Sequence, residues 1–130
     1  VKDPMEYDGE LTKTLFSGPR KKLEQVKAFA EELLGDTVNL FYSSETYLEF
    51  VISGVDKGSA LEATAKEAGV ELADVIAIGD GDNDLPMILK AGLGVAMKNG
   101  EEHVKAAAGY VTERTAEEHG VAEVLEKFIL

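Results

Sequence analysis

The 130-residue sequence has no cysteine and no tryptophan, three prolines, two histidines, and only 13 basic residues against 25 acidic ones. Without cysteine there is no disulfide, no zinc–thiolate centre and no thiol nucleophile. The shortage of bases leaves a net charge of −12. With neither a basic stripe nor a basic amphipathic helix, that balance argues against nucleic acid or an anionic membrane as partner. No apolar run is long enough to cross a bilayer, and no signal-peptide pattern appears. A cytoplasmic location is the expectation. The length suits one domain with a real core, or two small pieces of different domains.

What the chain does have is concentrated in Val75-Ile76-Ala77-Ile78-Gly79-Asp80-Gly81-Asp82-Asn83-Asp84-Leu85-Pro86-Met87. An uncharged apolar run ends in glycine and meets three aspartates and an asparagine within five residues. Open α/β sheets present ligand sites at the carboxyl ends of their strands. Three acids so close together repel one another unless a cation or hydrogen-bond donors neutralise them. Oxygen-only ligands point to a hard divalent ion, magnesium first. An EF-hand register fails, because its sixth position is Leu85 and its twelfth is Ala91. A solvated helix cap is the plainer alternative.

Residues 1–17 read as irregular polar sequence ending in a strand over 13–16. Ser17-Gly18-Pro19 precedes a helix from Arg20 to Leu34, stopped by Gly35. Val38–Tyr42 and Tyr47–Ile52 read as an antiparallel hairpin, the second strand burying one face through Leu48, Phe50 and Ile52. After Gly54 the style changes. Helices are expected over 56–68, 85–91, 100–108 and 121–128, with strands over 75–78, 93–97 and 110–112. Asn99 and Glu102 have capping-box spacing. Such alternation implies parallel βαβ pairing. The division expected is a partial α+β segment over 1–53 and an α/β segment over 54–130.

An acidic protein that handles an anion needs a local positive element. Lys57, just after the expected cap Asp56, sits where the helix dipole opposes a cation by up to about 1 kcal/mol. An anion bound at the same helix start would offset that cost. Alone, Lys57 is an ordinary surface lysine. One helix and one strand later, however, the chain returns to the same sheet edge at Asp80, so the two residues can share a cleft. Asp80 is the candidate magnesium ligand and Asn83 the candidate phosphate donor. Asp84 is a second ligand, an orienter or a cap. Asp82 is expected to face solvent. His103 and His119 stand without partners at useful spacing and read as surface residues.

Lys57-Gly58, Gly79 through Met87, Gly94-Val95-Ala96-Met97-Lys98-Asn99 and His119-Gly120-Val121-Ala122 occur in an order that resembles the C-terminal half of haloacid dehalogenase superfamily phosphatases of the Cof type. The resemblance covers roughly residues 46–130, and residues 1–53 resemble the end of that family's cap more weakly. It implies a Rossmann-like parallel-sheet core and a magnesium-dependent phosphatase of small phosphorylated metabolites, sugar phosphates foremost. It also implies that Lys57 holds the phosphate, Asp80 binds magnesium, Asn83 contacts phosphate and Asp84 supports the metal.

The family's nucleophile lies in an Asp-x-Asp-Gly segment that this sequence lacks. Asp8-Gly9 follows no apolar strand and has Glu6 in the nucleophile's place. Covalent phosphoryl transfer does not proceed without its nucleophile. The expectation is therefore a fragment, pairing with a second copy or with a chain that supplies the missing half. The alternative is an inactive phosphate- or metal-binding module.

Overall fold

A computed structural model describes residues 12–130. Asp8-Gly9 and Glu6 lie outside the described residues. The first described strand, β1 (Lys13–Ser17), leads through Gly18 and Pro19 into α1 (Arg20–Leu34). Pro19 holds φ at −60°, as its ring requires, and Gly35 ends the helix at φ +53°. β2 (Val38–Ser44) and β3 (Tyr47–Ile52) form the expected hairpin. β1 pairs with the far side of β3, giving an antiparallel sheet of order β1-β3-β2.

Helix α1 covers one face of this sheet, burying Leu23 and Ala30 while Phe29 and Leu33 stay exposed. The expected single buried face of β3 is corrected. Leu48 is fully buried, but Ile52 is exposed, and Glu49 on the opposite face is buried as well. Burial of a carboxylate requires a partner, and Lys13 Nζ donates to Glu49 Oε2 at 2.8 Å. The hydrogen bonds from Lys13 and Ser43 hold the Glu49 carboxyl below its ordinary value, against the effect of burial. A lowered folded-state pKa contributes stability above the unfolded value, lost as pH falls through the folded one. Glu49→Gln is therefore expected to cost about 1 kcal/mol near neutrality. The difference from wild type should shrink steadily below about pH 4.5 in urea titrations. A difference independent of pH would contradict the ion pair.

The second sheet is built from alternating strands and helices: α2 (Lys57–Ala68), β4 (Ile76–Gly79), α3 (Leu85–Lys90), β5 (Leu93–Ala96), α4 (Glu102–Ala107), β6 (Tyr110–Val111) and α5 (Gly120–Phe128). Its strands run parallel in the order β4-β5-β6, with Gly79 opposite Ala96. Ile88, Ala96 and Val104 pack together between sheet and helices, and Val95 and Val124 are fully buried. Asp56 caps α2 through a reciprocal pair. Its Oδ1 accepts from Ser59 N at 2.7 Å, and its own N donates to Ser59 Oγ at 3.0 Å.

The capping box expected at Asn99 does not form. The residue preceding α4 is Glu101, with no side-chain cap, and Asn99 Oδ1 instead accepts from Ala116 N at 2.9 Å. A loop 17 residues away supplied a better-placed donor. β2 packs against the turn at Asp82–Asp84, so the antiparallel sheet overhangs the carboxyl end of the parallel one. Among the described residues no helix is long and apolar enough to cross a membrane.

Candidate functional site

β4 ends at Gly79, and the chain immediately doubles back through a short 3-10 turn, Asp82–Asp84. The device that closes this turn is Asp84. Its Oδ2 accepts from Asp80 N at 2.9 Å and from Gly81 N at 3.1 Å, while its Oδ1 takes the Lys57 ammonium. The residue is 5 % exposed. Burial pushes its carboxyl up, but the bonds from Lys57 and the Asp80 and Gly81 amides outweigh that and hold it below the ordinary value. The repulsion expected among the loop's acids is thus relieved at Asp84 by three donors.

Gly79 is needed here for space. A Cβ on it would come within 2.6 Å of Asp84 Cγ and 2.7 Å of Asp84 Oδ2. Neither Gly79 nor Gly81 adopts a positive φ, so it is space and not backbone conformation that requires glycine at residue 79.

Lys57 and Asp80 lie at the same sheet edge, linked through Asp84, but they line adjoining clefts rather than the single shared one expected. The Asp80 carboxylate is exposed and makes no hydrogen bond to another described residue; its main-chain oxygen accepts from Glu101 N at 2.8 Å. Asp82 and His103 are not isolated. His103 Nε2 lies 3.2 Å from Asp82 Oδ1, and its Nδ1 lies 3.6 Å from Glu101 Oε2. A contact across 21 residues leaves no trace in local spacing.

Two adjoining clefts open above the loop. One, of about 540 Å³, lies between Arg20 of α1 with Tyr42, Ser43, Ser44 and Glu45 at the end of β2 on one side, and Asp80, Gly81, Asp82, Asn83, Glu101 and His103 on the other. The other, of about 340 Å³, includes Asn39, Phe41, Asp56, Lys57, Asn83 and Pro86. Asn83 borders both.

Among the described residues no three His, Cys, Asp or Glu side chains gather as a complete metal cage. Magnesium does not need one, because it keeps several waters and is commonly held by one or two carboxylates plus substrate phosphate. An uncommitted, oxygen-only Asp80 at the mouth of a polar cleft fits that mode.

A family model for haloacid dehalogenase-like hydrolases matches residues 2–125. The chain belongs to this family. The match takes in most of residues 1–53, the part that the motifs alone covered weakly. A haloacid dehalogenase-like hydrolase from Bacteroides thetaiotaomicron is 41% identical, with a TM-score of 0.79 over 95% of this chain and 46% of its own. The subclass IIB sugar phosphatase BT4131 superposes with a TM-score of 0.78 at 25% identity, over 93% of this chain and 44% of that one. The 5-amino-6-(5-phospho-D-ribitylamino)uracil phosphatase YcsE of Bacillus subtilis is 40% identical over 88 residues, 68% of this chain and 35% of the relative. The chain spans less than half the length of each of these proteins. The architecture is that of the family's α/β core in its C-terminal half, preceded by an α+β segment.

Proposed function

We propose that the chain forms part of a magnesium-dependent phosphatase of small phosphorylated metabolites, sugar phosphates foremost. Residues 54–130 would be half of the catalytic core and residues 1–53 part of the cap above it. The observation that carries this reading is the Lys57–Asp84–Asp80 bridge, which fixes a cation and a free carboxylate at one sheet edge.

Lys57 is proposed to meet the substrate phosphate; at 48% side-chain exposure it can reach a ligand while anchored to Asp84. Asn83, bordering both clefts, is proposed to donate to a phosphate oxygen. Asp80 is proposed to hold magnesium, which would neutralise phosphate charge and orient it for in-line attack. The committed hydrogen bonds of Asp84 favour the orienting role over direct ligation. The nucleophilic aspartate that the family resemblance implies is proposed to come from another chain or segment. A non-catalytic phosphate-binding module is the competing reading.

Asp80→Asn tests the site without disturbing its fold. Its magnesium-dependent affinity for inorganic phosphate, by calorimetry, is expected to fall about tenfold or more, with unfolding midpoints unchanged. Unaltered affinity would overturn the assignment. Turnover of p-nitrophenyl phosphate by the chain, abolished by Asp80→Ala, would exclude the binding-only alternative.

A further inference from the structure

Beyond the carboxyl end of β5 the chain turns tightly through Met97-Lys98-Asn99-Gly100, closed by Gly100 N donating to Met97 O at 2.8 Å. Gly100 is buried, and only glycine fits there. A Cβ on it would come within 2.9 Å of Met97 O, 3.1 Å of Asp80 O and 3.2 Å of Asp80 Cα. Gly100 thus seats the Asp80 main chain, and the next amide, Glu101 N, donates to Asp80 O at 2.8 Å. The same requirement puts a glycine directly after an exposed asparagine. Such a pair is chemically labile, because no side chain shields the glycine nitrogen from the asparagine amide carbon. The Asn99 Oδ1 accepts from Ala116 N at 2.9 Å, and that oxygen is the one that takes up negative charge when Cγ is attacked. The turn bond opposes the attack, since it holds the Gly100 proton against Met97 O.

We propose that Asn99-Gly100 is a self-modification site, gated by opening of the 97–101 turn, whose isoaspartyl product unseats Asp80. When the turn opens and Gly100 N loses its proton to solvent, the nitrogen attacks Asn99 Cγ. A C–N bond forms, the Cγ–Nδ2 bond breaks, and the side-chain nitrogen leaves as ammonia, giving a five-membered succinimide. Water then adds to one of the two ring carbonyls and breaks its bond to the Gly100 nitrogen. Cleavage at the side-chain carbonyl leaves an aspartate in an unaltered backbone. Cleavage at the main-chain carbonyl leaves the backbone running through the side chain, as isoaspartate. Water is the only reagent. The aspartate keeps an oxygen for Ala116 N. The isoaspartate instead lengthens the main chain by one carbon, about 1.5 Å, directly before Gly100. With contacts as close as those around Gly100, that displacement breaks the bond from Glu101 N to Asp80 O.

The test is prolonged incubation of the chain at mildly alkaline pH, folded and in guanidinium chloride, with peptide mapping by mass spectrometry. Isoaspartate at residue 99 is read by methyltransferase labelling of the same peptides. It should accumulate in the folded chain roughly tenfold to a hundredfold more slowly than in the unfolded one, as befits a reaction that waits for local opening. Hydrogen exchange at the Glu101 amide should quicken about tenfold or more in the isoaspartyl fraction. Fresh Asn99→Asp should exchange there like wild type, and Asn99→Ser, which cannot cyclise, should be unchanged by the incubation. Three results overturn the proposal. Equal rates in the folded and unfolded chains would remove the gate. No isoaspartate in the folded chain would show that the turn does not open far enough to react. Unaltered Glu101 exchange in the isoaspartyl fraction would uncouple the site from Asp80.

Discussion

Asp84→Ala is expected to lower the free energy of unfolding by about 3 kcal/mol, measured by urea denaturation. The deletion strands the Asp80 and Gly81 amides and the Lys57 ammonium, which now share one buried carboxylate. Lys57, half-exposed, can turn to water, so the cost falls mainly on the two amides and on the packing around Gly79. Asp84→Asn should recover only part of the loss, since an amide oxygen can accept from the loop while its NH₂ group confronts Lys57. Magnesium-dependent phosphate binding should weaken in both variants, in step with the loosening of Asp80. A stability change under about 1 kcal/mol would show that water replaces the carboxylate without strain.

Gly92→Ala should be at least as damaging, at roughly 3 kcal/mol or more. Gly92 N donates to Leu72 O at 2.7 Å, drawing the strand entry against the turn before β4. A Cβ at residue 92 would overlap the Ala73 carbonyl oxygen and come within 2.8 Å of Ala73 Cα. Backbone cannot rotate away as a side chain can, so the β4–β5 register itself must yield. Gly18→Ala is the matched control, with nothing within 4 Å of its Cβ, and should be close to neutral. A thermal melt comparing the two separates a packing clash from a generic glycine effect. Equal midpoints would show that the 72–74 turn moves freely.

Much of this architecture could be read from local pattern. The periodicity of α1 and its stop at Gly35, the cap at Asp56, the hairpin of β2 and β3, and the parallel alternation after Gly54 all follow from neighbours within a few residues. The errors of such reading are long-range ones. Asn99 found a partner on a distant loop, Glu49 was buried by Lys13 from 36 residues away, and His103 met Asp82 across 21. At the candidate site, spacing brought Lys57 and Asp80 to one edge but not into one cleft. It could not reveal that the intervening carboxylate is buried, because the bonds of Asp84 depend on how α2 docks. The placing of the Arg20 guanidinium over the Tyr42 ring, 3.3 Å from its centre, was equally hidden, since nothing in either local segment distinguishes such an arginine from a solvated one.

The loop around Asp84 also has a kinetic consequence. Its bonds to Asp80 and Gly81 close over only four and three residues, whereas its bond to Lys57 spans 27. Short loops close in tens of nanoseconds and at small entropic cost, but the longer closure must await docking of α2 against α3 and the Asp82–Asp84 turn. The two halves of the site therefore form at different stages of folding. When the molecule opens locally, Lys57 departs first and the carboxylate turn persists. Amide exchange at Asp80 and Gly81 would then outlast that of the α2 start.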